Sequence, residues 1–559
     1  MAAERIAAIA GALRRVRPPA TLASLAVVLA LLLAVPVLVV LINVFVPSHG
    51  TWSHLASTVL PDYVFNSLVL MLGVAYGVIT IGVTTAWLTT MCSFPGRRIL
   101  EWGLLLPMAV PAYVMAYAYT DFLQFTGPVQ SALRAATGWS AADYWFPDVR
   151  SLPGAVAMLS FVLYPYVYLL ARAAFLEQSE SMLEAARISG IGPWGAFFRV
   201  ALPLARPGIV AGTALALMET LADFGTVAYF GVQTFTTGIY RAWFSLGDPV
   251  AAAQLSATLL GFVFLVLFAE RMTRGRASFH NVAHRRRVAY PYRLRGLKAL
   301  LAFVASVVPL ALGFFLPAAI LLRMAFTSGD AQFGERYVEL TFNTVTLAAV
   351  TAALAVVLAL AAGYAGRMVR RPAVKIANRV AGLGYAVPGA VIAVGVLIPV
   401  TRLDHALSAV IESMSGHSVG LVLTGGIAAL IYAYLVRFFA VSLQTVEAGL
   451  TKITPSMDSA ARSLGLGPAA TLLKVHAPLL WRSALIAALL VFVDVMKELP
   501  ATFVMRPFNF DTLAVQAFNL AADERLTEAS TAALTIVAAG LLPIIALSRM
   551  MLGSRATAG

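Results

Sequence analysis

Four carboxylates sit where a chain this apolar should least tolerate them. Glu219 and Asp223 fall inside one long hydrophobic run, and Asp494 and Glu498 inside another. Each pair is spaced i, i+4, which on a continuous helix puts both side chains on one face. Asp494 and Glu498 each lie 275 positions after Glu219 and Asp223. Ionisable groups within hydrocarbon are costly and are functional candidates by default. Grouped carboxylates can line a path for a hard, oxygen-preferring cation or ligate it directly, and they can relay protons. Counted from a span start near residue 206, Glu219 lies ~20 Å deep at about 1.5 Å per residue, near the midplane. Lys497, Arg172 and Arg437 offer a structural alternative, in which part of the group is held in buried ion pairs.

Other residues of chemical type are weaker candidates. Tyr113, Tyr117, Tyr119, Tyr164, Tyr166 and Tyr168 read as interfacial belt and helix packing rather than as ligands. His280 and His284 are spaced i, i+4, but they sit in a basic stretch without acids, so a tether is the expectation there and not a metal site. Cys92 is the only cysteine, which excludes an intramolecular disulfide and a Cys-based metal site. Pro111 and Pro388 each follow Ala-Val and predict matched breaks in two spans.

The elements that must position these residues are membrane helices. Of the 559 residues, 60% are hydrophobic and 12% charged, and the mean hydropathy is +0.85. A soluble domain is nearer 45–50% apolar and about 25% charged. Apolar runs of spanning length predict twelve transmembrane helices, at about 21–46, 65–91, 99–122, 152–176, 206–230, 252–270, 298–326, 342–367, 376–401, 418–444, 482–504 and 528–550. The first run is too long for a signal-peptide core and reads as a retained span. The net charge of +14 follows topology rather than nucleic-acid binding. With the N-terminus inside, Arg97 and Arg98, the segment 271–298 with nine bases and no acid, and Lys375, Lys452 and Arg549 all fall on the cytoplasmic side. Both termini are then cytoplasmic.

The chain also repeats. "FNS" at Phe65 matches "FNT" at Phe342, and the proline of "AVP" recurs at Pro111 and Pro388, both at an offset of 277. Gly190 and Gly465, like Pro203 and Pro478, are 275 apart. This is a tandem duplication of a six-span unit, with halves at 1–270 and 298–559 joined by a basic linker at 271–297. Six spans give both halves the same orientation, related by a pseudo-two-fold axis along the membrane normal. The fold class is therefore an all-α polytopic membrane protein.

One modest, Gly-broken segment occurs in each half between the fourth and fifth spans, at about 181–204 and 456–479. "EAARISGIGPWGAFFRVALP" begins at Glu184 and "SAARSLGLGPAATLLKVHAP" at Ser459. Each reads as helix, turn, helix. Ala185 and Ala186, like Ala460 and Ala461, keep the first helix small-faced, and Gly190 and Gly465 permit a sharp turn. A short, small-faced cytoplasmic helix suits docking into a partner's groove.

Glu184, Ala185, Ala186, Gly190, Val200, Leu202 and Pro203 resemble the coupling-helix motif of the membrane subunits of ABC importers. The second copy has Ser459 in place of Glu, with Asp458 one residue earlier, and Ala477 in place of Leu. Twelve spans with two such motifs, and the stretch "DVMKELPATFVMRPFNFDTLAVQAF" from Asp494, are similar to the fused permeases that serve ferric iron. The resemblance implies the type I importer transmembrane fold and a bacterial inner-membrane location. It also implies two partner ATPases that bind ATP and Mg, and a periplasmic iron-binding protein. The chain itself would hold no cofactor and perform no catalysis. No Gly-Lys dipeptide occurs, so the chain has no phosphate loop of the Gly-Lys-Ser/Thr type. Two alternatives stay open: an importer of thiamine, polyamine or an oxyanion, and a proton- or sodium-coupled secondary transporter.

Overall fold

The computed structural model describes residues 20–48, 50–178, 188–274, 292–327, 334–369, 371–417 and 420–556. Among these, eleven helices are long and apolar enough to cross a membrane. A twelfth candidate is the bent pair Arg97–Ala109 and Ala112–Thr137, which turns by 91°. The bend falls at Pro111, and the ninth span breaks at the matched Pro388. Val110 and Val387, the residues before the two prolines, are extended, because the proline ring crowds the α region of the residue before it. Among the described residues the only strands are the two-residue pieces Cys92–Ser93 and Tyr292–Arg293, paired in parallel.

Four spans depart most from the expected boundaries, and one of them, the ninth, runs from Gly389 to Ser415 rather than 376–401. The fifth runs from Trp194 to Ala222 and the eleventh from Pro468 to Met496, rather than 206–230 and 482–504. The second helix of each helix-turn-helix is therefore not a separate piece but the leading end of the next span. A π-turn at Phe197–Ala201, and another at Leu472–His476, immediately precedes Leu202-Pro203 and Ala477-Pro478. A proline lacks the N–H that an α-helix needs and crowds the carbonyl one turn back. A local π-turn accommodates both. The tenth span is Ala428–Leu450 rather than 418–444. Residues 422–424 fold instead onto Asp404, which accepts the N–H groups of Val422 (2.7 Å), Leu423 (3.0 Å) and Thr424 (2.8 Å) and the Thr424 hydroxyl (2.6 Å).

Lipid-soluble helices gain little from burying leucine against leucine, so close packing depends on small residues. Gly208 and Gly212 form such a pair on the fifth span. A Cβ at Gly212 would come within 2.7 Å of the Val167 Cα, and one at Gly208 within 2.8 Å of the Leu170 carbonyl oxygen. The fourth and fifth spans therefore meet backbone to backbone.

The chain forms two compact units. One gathers the described residues up to Val39 with Val345–Val387 and Gly395–Val495. Within it, Ala26 is buried with Ala365, Val369 and Val374, the Tyr432 hydroxyl donates to the Leu32 carbonyl at 2.5 Å, and Gly395 lies against the Pro36 backbone. The other unit gathers Val40–Thr344, Pro388–Val394 and the described residues from Met496 onward. Within it, the seventh span packs on first-half helices: Tyr119 donates to the Leu312 carbonyl at 2.6 Å, and Gly313 lies against Phe161 and Pro107.

Candidate functional site

The second repeated segment is described in full. Pro455–Ser463 is a nine-residue helix, with Asp458 and Ala461 buried on one face. Ser459 and Ala460 are exposed, as is Leu464 at 80%. The paired alanines therefore divide: Ala460 is presented outward and Ala461 packs inward. Gly465 follows in the left-handed region at φ 78°, and Gly190 of the first copy matches it at φ 75°. Pro203 and Pro478 lie in the first turns beyond the π-turns. Glu184, Ala185 and Ala186 lie outside the described residues, as do His280 and His284.

Asp458 stands at the centre of a buried polar cluster that composition did not announce. Its Oδ2 accepts from Arg367 Nε (3.0 Å) and Nη2 (2.8 Å), and its Oδ1 contacts His476 Nε2 at 2.6 Å. Arg367 also donates to the carbonyls of Leu450 (2.9 Å) and Ile453 (2.8 Å). The His476 ring stands edge-on to Tyr364, 5.1 Å between centroids, and the Tyr364 hydroxyl donates to the Pro468 carbonyl at 2.9 Å. Asp458 therefore faces inward and ties the short helix to the ends of the eighth, tenth and eleventh helices. It does not occupy the outward position of the missing Glu. The signal lay in the repeat. At the established offsets Tyr364, Arg367, Asp458 and His476 correspond to Trp87, Thr90, Leu183 and Ala201. Trp87 builds an aromatic layer instead, 5.5 Å from Phe175 and 4.9 Å from Phe197.

The carboxylates of the fifth and eleventh helices are not arranged as their spacing predicts. The helices end at Ala222 and Met496, so Asp223 and Glu498 lie beyond the last helical residue, and neither pair shares a helical face. Measured from Trp194, Glu219 is about 37 Å along the helix, at its far end and not at mid-depth. Asp223 accepts the N–H groups of Thr226 and Val227 (both 3.1 Å) and the Thr226 hydroxyl (2.9 Å). Glu498 accepts those of Ala501 and Thr502 (both 2.9 Å) and the Thr502 hydroxyl (2.6 Å). Each carboxylate thus satisfies the free N–H groups opening the short helices Gly225–Tyr229 and Pro500–Met505. Glu219 and Asp494 remain half-buried at the ends of their helices. Among the described residues no group of three or more His, Cys, Asp or Glu gathers in a metal-holding arrangement.

The two capped segments meet in one compact unit. Phe224 stacks on Tyr240, 3.7 Å between centroids, and both rings pack against Phe503. The Tyr240 hydroxyl donates to the Pro500 carbonyl. Gly225 is wedged in: a Cβ there would lie 2.7 Å from the Tyr113 Cβ and 2.8 Å from the Leu499 Cδ2. Tyr113, Tyr117, Tyr119, Tyr164 and Tyr168 are all buried, so these tyrosines serve helix packing and not an interfacial belt. Arg172 pairs with Glu101 (3.9 Å) rather than with the acids of the fifth or eleventh helices. Replacing Asp223 by Ala should lower folding stability by about 2 kcal/mol. Asn, which keeps an acceptor, should lose less. Thermal unfolding in detergent measures both, and an unchanged midpoint for Ala would refute the capping role.

Residues 78–276 match the model of the binding-protein-dependent transport system inner membrane component family. The first half carries the permease domain of that family. Along nearly the whole length, the permease is 24% identical to the Fe(3+)-transport system permease protein FbpB 2 of Haemophilus influenzae, covering 95% of this chain and 99% of the relative. It is 29% identical to the molybdenum transport system permease protein ModB of Escherichia coli over 35% of this chain and 87% of the relative. It is also 29% identical to the sulfate transport system permease protein CysW of Escherichia coli over 36% and 66%. The chain is a multi-pass inner-membrane protein with the all-α type I importer fold.

Proposed function

We propose that the permease is the membrane subunit of an ATP-driven importer whose substrate is ferric iron. The reading assigns two ATPase subunits, which bind ATP and Mg, to the repeated segments, one per half, and a periplasmic iron-binding protein to the opposite side. Both termini face the cytoplasm, the two repeats 1–270 and 298–559 each contribute one coupling segment, and the chain performs no covalent chemistry. The observation that carries the coupling is the pair of left-handed glycines, Gly190 and Gly465, each ahead of a π-turned span in its own half. Ser459, Ala460 and Leu464 supply an exposed face for docking in the second half. Iron is favoured over molybdate or sulfate because a relative that aligns with 95% of this chain is an Fe(3+)-transport system permease, and because repeat-related Glu219 and Asp494 offer hard oxygen donors to a passing cation and repel an anion. Asp223 and Glu498 then hold the helices beside that path rather than forming its lining.

The test is reconstitution of the permease with its ATPase and binding protein in vesicles. Ferric iron on the binding protein should stimulate ATP hydrolysis and uptake, and molybdate or sulfate should not. Replacing Glu219 by Gln together with Asp494 by Asn should cut uptake about tenfold or more, on the order of 1.4 kcal/mol or more in the barrier. Unchanged uptake removes these residues from the path. Stimulation by an oxyanion instead removes iron.

A further inference from the structure

The described ends of the eighth and tenth helices enclose, with the helix Pro372–Ala381, an open cavity of about 920 Å³ within one compact unit. Its lining carries Arg367, Arg371, Lys375 and Arg379 against a single carboxylate, Glu447. Arg367 is held by Asp458. Arg371, Lys375 and Arg379 are exposed, and no ion pair engages them among the described residues. Lys375 and Arg379, spaced i, i+4, share one face of the helix, and Arg371, the extended residue just before it, lines the same cavity. A second face, Val374, Ala377, Asn378 and Ala381, is buried. A third presents Ile376 (58% exposed) and Val380 (38%), with Leu383 (52%) exposed just beyond the helix end. One short helix thus has a buried side, a cationic side facing a cavity, and an exposed apolar side beside the cations. Apolar surface next to cations is the pattern of a helix lying at the bilayer boundary. Basic pockets between membrane helices suit anionic lipid head groups.

General topology does not account for this cluster. At the 277 offset the first half places Arg98, Glu101 and Trp102 where the second places Lys375, Asn378 and Arg379. There the buried Glu101 draws Arg97 inward at 3.4 Å and Arg172 at 3.9 Å. Asn378 carries no such charge. Its amide donates to the Ala362 carbonyl at 3.0 Å and to Glu447 at 3.4 Å. The basic face therefore belongs to one half alone, where retention of positive charge on one side of the membrane demands nothing so local.

We infer that this cavity binds the phosphate-bearing head group of an anionic phospholipid, with Arg371, Lys375 and Arg379 on the phosphate and the acyl chains along Ile376, Val380 and Leu383. The lipid would wedge between the eighth and tenth helices in the second half alone. The test uses the delipidated full-length permease, titrated with phosphatidylglycerol or phosphatidylcholine and read by native mass spectrometry. Phosphatidylglycerol should bind with clear preference. Replacing Arg371, Lys375 and Arg379 together by Gln should weaken it about a hundredfold, from about fivefold per cation. Replacing Arg371 and Arg379 by Lys should preserve most of the binding and shows that the fold is intact. Arg98→Gln in the first half should leave it unchanged. Equal binding of the two lipids, or undiminished binding by the triple variant, overturns the site. Displacement of the lipid by millimolar inorganic phosphate overturns the lipid and leaves a soluble-phosphate pocket. Neither result bears on the transported substrate.

Discussion

Replacing Asp458 by Ala should destabilise the second half by about 3–5 kcal/mol, because it leaves Arg367 as an unpaired charge in a mostly buried setting. The side chains of Arg367 and Asp458 are 18% and 12% exposed, and three atoms of neighbouring groups converge on the carboxylate. Arg367 would keep only its two bonds to backbone carbonyls. The helix Pro455–Ser463 would lose its direct links to the eighth and eleventh helices at once. Asp458→Asn keeps the shape and one acceptor, so its loss should be intermediate. Thermal unfolding in detergent reads the stability, and co-purification of the ATPase reads the docking. A cycle with Arg367→Ala should show coupling of about 1–3 kcal/mol, since residues in one network do not act additively. If Asp458→Ala unfolds at the unaltered temperature and still retains its ATPase, the anchor has been misassigned.

Valine at Gly190 or Gly465 should disrupt coupling more than folding. Both glycines lie at positive φ, and a Cβ added at either meets nothing within 4 Å. The penalty is therefore conformational and not steric crowding by neighbours. An L-residue pays about 1–2 kcal/mol in the left-handed region, and a β-branched one is a still poorer fit. The turn would relax away from that region and swing the short helix out of register with its partner. ATPase association should fall by more than tenfold for either variant. Asn, which tolerates the left-handed region, should recover most of it. If Val at both positions binds the ATPase as tightly as Gly, the turns do not set the contact. The two halves should also differ: Gly465→Val leaves a helix still pinned by Asp458, an anchor whose sequence counterpart in the first half is Leu183.

Hydropathy and charge made the membrane helices legible, because a span must bury about 20 apolar residues whatever surrounds it. The breaks at Pro111 and Pro388 were equally plain, since the constraint on the preceding residue is local. The ends of the fifth and eleventh helices were not. The apolar runs put their starts near 206 and 482, whereas π-turns carry the helices through Pro203 and Pro478, and an i, i+4 carboxylate spacing implies a shared face only while the helix continues. Asp223 with Gly225 and Thr226, and Glu498 with Pro500 and Thr502, are helix-start signals that compete with the apolar run around them. The Asp458 cluster was visible in principle, as coordinated replacements between two copies of one design. It required pairing Asp458 with Arg367, 91 positions earlier, and with His476, 18 positions later, which no local pattern supplies.

The exchange of leading spans bears on how this chain comes off the ribosome. The segment from Leu22 to Val39 finds its buried neighbours among Val345–Val495, more than 300 residues downstream. At about 5–20 residues per second, the first span waits on the order of 15–60 s in the bilayer before those neighbours have been made. Cutting the chain within the basic linker would not release two ready-made proteins: each fragment would carry an opening helix whose partners were synthesised as part of the other.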